Sequence, residues 1–204
     1  AFRWHLKCAQ HFFGVGPDLS TFGKGMANLF VSAAVVGKRE FMEVGAINKP
    51  GMERTFLLSS THGSEMPALG AFMAAVDVCE TEDVPSYLWS FGDRLKAKLV
   101  DLAKAHGLAD AFDIEGPGVA LNLVTKDANG APCARLRTLF LQEMLRNGVM
   151  MPCISVSQAH GDTELDITLS AADKAFAVYA QGLEQGTEAL LEGAAVKPVF
   201  RAVN

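Results

Sequence analysis

No apolar run in this sequence reaches the roughly 18 residues that a membrane-crossing helix needs, and no charged-then-apolar leader opens it. Basic charge is also in short supply: 18 Lys and Arg stand against 23 Asp and Glu in 204 residues, a formal net charge of −5. That balance supplies no electrostatic footprint for nucleic acid. The four cysteines (Cys8, Cys79, Cys133, Cys153) lie far apart, with no paired-ligand spacing. Reduced, mostly buried thiols and a cytoplasmic setting are therefore expected. The five histidines offer no metal centre either: they are scattered, and His5 and His11 have no acid between them. No zinc site is expected. There is no Gly-x-Ser-x-Gly elbow, and no Ser or Cys is flanked as a hydrolase nucleophile would be.

What is present is a chain 50% hydrophobic and 20% charged, too apolar for disorder and long enough to bury a sizeable core. It opens on Ala1-Phe2-Arg3-Trp4 without a cap or polar lead-in, and reads as the C-terminal part of something longer; removal of an initiator Met before Ala is the plainer alternative. Glycines at 14, 16, 23 and 25 make residues 1–30 loop-rich. Phe30–Val36 reads as a buried strand ended by Gly37, and Thr55–Ser59 as a second short apolar run before the turn-like Ser60–Ser64. Helical spacing begins at Pro67, with Leu69, Phe72, Met73, Val76 and Cys79 in step. Pro85 interrupts it, and a second helix is expected from Ser86 to His106, stopped by Gly107.

Beyond that point strands and helices alternate. Phe112–Glu115 and Val119–Thr125 read as strands around Gly116-Pro117-Gly118, and Leu136–Arg146 as a helix stopped by Gly148. Val149–Met151 is strand-like, and Thr168–Leu191 is the last long helix, preceded by a solvated acidic stretch, Asp162, Glu164 and Asp166. The interleaving argues for an α/β class. A composition shift near Pro85 divides the chain into residues 1–84 and 85–204.

Three segments could carry chemistry. Lys24 sits between Gly23 and Gly25, which keep bulk away from its amine. A phosphate loop fails here, because Gly16 is misplaced and Gly25 stands where a hydroxyl residue would hold magnesium. A lysine that condenses with an aldehyde and a solvated loop lysine both fit. Thr61-His62-Gly63-Ser64, ahead of a helix, offers hydroxyls and amides to an anion or simply caps that helix. His160 lies at a strand end, where it lines a pocket or rests in a loop.

The string Pro17-Asp18-Leu19-Ser20-Thr21-Phe22-Gly23-Lys24 closely resembles the lysine segment of class III aminotransferases, the family of glutamate-1-semialdehyde aminomutase and the ω-aminotransferases. The likeness runs on through Phe2-Arg3-Trp4, Val36-Gly37-Lys38-Arg39-Glu40, Leu57–Gly63, Thr138–Met144 and Ala159-His160, nearly the whole chain, and is nearest the aminomutase-like branch. It implies the C-terminal part of fold type I of the pyridoxal-phosphate enzymes. Residues 1–84 would belong to the large cofactor-binding domain and 85–204 to a small α+β domain, in a homodimer with shared active sites. Lys24 would hold pyridoxal 5′-phosphate as a Schiff base and then serve as general base; Thr61 would bind the cofactor phosphate, typically that of the neighbouring subunit. The carboxylate facing the pyridine nitrogen and the Gly-rich phosphate loop would lie upstream of Ala1.

Two departures stand out. Leu29 replaces a glycine usual in relatives, and Met150-Met151-Pro152-Cys153 has no acid where the aminomutases carry one on the substrate side. The second favours transfer from an amino donor to a carbonyl acceptor over intramolecular amino exchange. The remaining alternative is a catalytically incomplete fragment that acts only in assembly.

Overall fold

A computed structural model describes residues 2–44, 46, 48–53 and 65–197. The chain forms two compact units, Ala1–Tyr87 and Leu88–Asn204.

The first unit is built from short pieces. These are α1 (Cys8–Phe12), β1 (Leu19–Phe22), a single 3-10 turn (Lys24–Met26), β2 (Ala34–Gly37), α2 (Arg39–Met42) and α3 (Met66–Thr81). β1 and β2 pair antiparallel, with Leu19 opposite Gly37 and Phe22 opposite Ala34. The strand expected over Phe30–Val36 is thus shorter and later, and its partner comes from a stretch that reads as loop. The reason is physical: β1 is Leu-Ser-Thr-Phe with only alternate residues half-buried, so it is held by pairing and carries no apolar run. Gly37 is required where it is, since a Cβ there would lie 2.3 Å from the Asp18 carbonyl oxygen. The Lys38 amide donates to that same oxygen at 2.9 Å, and the Lys38 ammonium meets the Asp18 carboxylate at 2.6 Å. α3 starts one residue ahead of Pro67, with the proline in its first turn, where a missing N–H costs nothing. The ring of Phe72 on α3 stacks with that of Phe2.

α4 (Val84–Ala105) begins before Pro85, which therefore sits in the first turn and does not separate two elements. In the second unit follow β3 (Phe112–Glu115), β4 (Asn122–Thr125), α5 (Ala134–Arg146) and α6 (Asp162–Gln185). β3 and β4 form an antiparallel hairpin with Phe112 opposite Thr125. α4 and α5 end alike. The amide of Leu108 donates to the Ala103 carbonyl and that of Gly107 to Lys104, while Val149 donates to Met144 and Gly148 to Leu145. Gly107 and Gly148 take φ +74° and +86° to allow these closures. Val149–Met151 is not a strand, because Val149 is spent on closing α5.

α6 starts at Asp162, earlier than expected, because the Glu164 carboxylate accepts the Gly161 amide at 2.8 Å and caps the helix there. That hydrogen bond holds the Glu164 carboxyl below its ordinary value. The helix stops at Gln185, where Gly186 turns to φ +86°. Between the elements lies an aromatic core: Phe176 meets Phe112 edge-on at 4.6 Å and stacks with Phe140 at 5.2 Å. The buried Tyr179 hydroxyl donates to the Ala111 carbonyl at 2.8 Å.

Candidate functional site

Lys24 opens the 3-10 turn with φ +52°, in the left-handed region that a residue bearing a Cβ seldom adopts. Such a conformation costs on the order of 1–3 kcal/mol and persists where its surroundings over-determine it. Those surroundings are visible. Met26 and Ala27, the two residues that follow Gly25, are buried, and α3 packs against the turn with Ala68 inward. Asn28 then takes φ +53°, which asparagine tolerates better than lysine. The chain is pinned just after Lys24, and the lysine side chain is left exposed. The flanking glycines leave room without being forced. A Cβ at Gly25 would meet nothing within 4 Å, and one at Gly23 would come no nearer than 3.7 Å to the Ser32 carbonyl.

Lys24 lines an open cleft of about 690 Å³. Arg3, Gln10, Ser20 and Thr21 supply the other polar lining; Trp4 and Phe22 are its aromatic walls, and Cys8 also faces it. The Ser20 hydroxyl donates to Gln10 Oε1 at 2.6 Å, tying α1 to β1 beside the lysine. Burial pushes the Cys8 thiol up, which disfavours its thiolate. Among the described residues no Asp or Glu lines the cleft.

Thr61, the expected phosphate ligand, lies outside the described residues, as does the run Thr55–Ser59. No group of three His, Cys, Asp or Glu side chains able to hold a metal occurs among the described residues. The rings of His5 and His11 do approach, to 4.5 Å between centroids. His160 lines a separate pocket of about 280 Å³ within the second unit; its Nδ1 accepts the Ser157 amide at 3.3 Å and its ring leans on Phe91. Gln10 and Arg3 enter the Lys24 cleft without a local sequence signal. Gln10 sits on a helix of one turn, and Arg3 is brought in by the fold of the segment before it.

A family model for class-III aminotransferases matches residues 5–164. The chain belongs to this family. It is 31% identical over 179 residues to a 3-aminobutyryl-CoA aminotransferase of Cloacimonas acidaminovorans (strain Evry), covering 86% of this chain and 41% of that relative. It is 27% identical over 186 residues to a glutamate-1-semialdehyde 2,1-aminomutase of Bacillus subtilis (strain 168), covering 86% and 42%. Among solved structures, the PLP internal aldimine form of the Sphingopyxis sp. MTA144 FumI protein superposes with a TM-score of 0.75 at 22% identity, over 87% of this chain and 41% of that one. The chain thus spans about two-fifths of the proteins it matches, and its fold is part of the α/β transaminase fold, as the interleaved strands and helices suggest. No helix of the described residues of this class-III family member is long and apolar enough to cross a membrane.

Proposed function

We propose that this chain contributes the cofactor lysine, Lys24, to a pyridoxal 5′-phosphate-dependent transfer of an amino group from an amino donor to a carbonyl acceptor. The observation that carries this reading is the placement of Lys24. An exposed primary amine stands on the wall of a cleft, on a backbone held in the left-handed region by a buried turn. The donor set fits the group: the amine suits an aldehyde, and the remaining polar lining is cationic or neutral, which suits a ligand that carries a phosphate.

When bound, the cofactor supplies an aldehyde and an electron-poor ring that stabilises the carbanion left by a departing Cα proton. The work of this chain is then local. Lys24 would hold the aldehyde end, and its amine, once released, would carry the proton between the substrate Cα and the cofactor C4′. Ser20 and Gln10, bonded to each other, fix the wall beside it. Thr61 serves as a phosphate ligand for the cofactor of a neighbouring subunit in a homodimer. Residues 1–84 act as part of the large domain and 85–204 as the small one. The acid-free Met150–Cys153 segment supports transfer between two molecules over amino exchange within one, although several relatives are aminomutases.

Borohydride reduction after incubation with pyridoxal phosphate, followed by peptide mass mapping, tests the central claim. A single label on Lys24, lost in Lys24→Ala with unfolding free energy changed by less than about 0.5 kcal/mol, is the expected result. Equal labelling of parent and variant overturns it. With an amino acid donor in excess, release of free keto acid separates transamination from amino exchange.

A further inference from the structure

We propose that the pocket beside His160 is a binding site in its own right, for a small uncharged aromatic molecule of one or two fused rings. It stands on the second unit alone and does not depend on the lysine chemistry. Three pieces of that unit wall it: α4 with Phe91 and Leu95, the start of α6 with Leu165, Ile167 and Thr168, and the irregular segment 148–156 that follows α5. Phe91, Leu95, Val156 and Leu165 are buried, so these walls are fixed by the core of the unit.

The polar side chains of the lining are turned to the protein. The Thr168 hydroxyl donates to the Glu164 carbonyl at 2.7 Å, the Glu164 carboxylate accepts the Gly161 amide, and His160 Nδ1 accepts the Ser157 amide. What the pocket offers a ligand is then mainly carbon and sulfur, which rewards apolar surface and returns few hydrogen bonds to a polar one. No Lys or Arg lines it and Glu164 does, which disfavours an anion, while burying a cation against apolar walls is costly. Size sets the next limit. An apolar cavity of roughly 150 Å³ is enough for benzene. At about 280 Å³ this pocket has room for a fused pair of rings. The sulfurs of Met150, Met151 and Cys153 decide between a ring and a chain. Thioethers make favourable contacts with aromatic rings and adapt their shape to them, so a flat polarisable ligand gains more than a hydrocarbon chain of equal area. Met150 is mostly exposed and Ile167 half exposed, an apolar rim that a seated ring would take out of water.

The test uses the whole chain with carbon-13 in its methionine methyls, the resonances of Met150 and Met151 being assigned from Met150→Leu and Met151→Leu. Indole is the probe and 1-hexanol its aliphatic competitor. Indole is expected to shift one or both resonances saturably through its ring current. Over the same concentrations it should slow alkylation of Cys153 by N-ethylmaleimide, read by peptide mass mapping. Hexanol is expected to need at least tenfold higher concentration to reverse either effect. Ile154→Trp places a ring of the protein's own on the lining, and Ile167→Asp charges the rim at an exposed helix position. Each should weaken indole at least tenfold, and Ile167→Asp decides alone where Ile154→Trp unfolds by circular dichroism. Unsaturable shifts, or shifts that the folded variants leave unchanged, overturn the site. Hexanol competing on equal terms overturns its aromatic character. Tighter binding of indole-3-acetate or tryptamine than of indole overturns the uncharged ligand.

Discussion

The two units of this chain hold themselves together in different ways. In the second, the rings of Phe112, Phe140, Phe176 and Tyr179 pack on one another, and Leu99, Leu139 and Met144 are buried as deeply, all at 2% exposure or less. In the first, the buried core hydrophobics among the described residues are Met26, Ala27 and Ala68, at 5%, 0% and 7% exposure, while Val31 is 98% and Leu29 93% exposed. Phe13, Val15, Met66 and Met73 are likewise open to solvent. Hydrophobic burial is the main favourable term in folding, so the second unit carries its own driving force. Among its described residues, the first shows backbone pairing, a few ion pairs and one anchored turn. Among the described residues, the lysine therefore sits where less apolar surface is buried, and its geometry is set locally, by the β1–β2 hairpin and the residues buried just beyond it.

The largest effect that would sharpen this contrast is in the aromatic core. Phe176→Ala should cost about 3–5 kcal/mol, since it removes a fully buried ring that three other aromatics contact. Urea unfolding followed by far-UV circular dichroism would read it. A loss below about 1 kcal/mol would mean that the core collapses around the gap and is not the main support of its unit. Gly92→Ala comes next. A Cβ at 92 would lie 2.0 Å from the Gly118 carbonyl oxygen, so α4 meets the β3–β4 connection backbone to backbone and one of them must move. A cost of about 1–3 kcal/mol is expected from such overpacking. A neutral result would show that the connection yields freely.

Much of the second unit was legible in advance, and the reasons it was legible explain what was not. β3 was readable to the residue because Phe112 and Ile114 alternate with polar neighbours, and the helices α4 and α5 were bracketed by periodic leucines and a terminal glycine. These are local signals. α6 was misplaced at both ends. Its start depends on a side-chain cap from Glu164, which in sequence is one more acid of a polar stretch, and its stop depends on Gly186, beyond which apolar residues continue. α1 and β1 escaped because neither buries an apolar stripe. Lys24 is singled out by its glycines and by the family likeness of its segment, whereas its left-handed backbone carries no signal in the sequence. Arg3 and Gln10 could not have been placed beside it, because only the folded hairpin and the one-turn helix bring them there.

Tyr179→Phe tests the polar seam of the core. It should cost about 1 kcal/mol, the net value of a buried hydrogen bond whose acceptor, the Ala111 carbonyl, is left behind. The pH dependence gives a second readout. Burial pushes the Tyr179 phenol well above its ordinary value of 10.0. The folded state thus favours the neutral form, and the contribution is complete below about pH 10. As pH rises past that point the unfolded chain ionises first and stability falls. Tyr179→Phe should flatten that alkaline decline, and an unchanged slope in the variant would assign it to other groups.

The smallest effect on stability is expected where the contrast between the units is sharpest. Leu29→Ser and Val31→Ser replace side chains that touch almost nothing, so the unfolding free energy should move by no more than about 0.5 kcal/mol. What should change is the surface. Monomeric proteins seldom expose dense apolar patches, and those that do bind dyes and one another. The double variant should therefore bind less 8-anilinonaphthalene sulfonate and scatter less light at high concentration, with its thermal midpoint unmoved. A drop in stability of more than about 1 kcal/mol would mean that these residues are packed in solution, and that the first unit owns a core after all. Retained stability with lower dye binding would instead locate the exposed apolar surface beside the lysine turn, on the segment that joins it to β2.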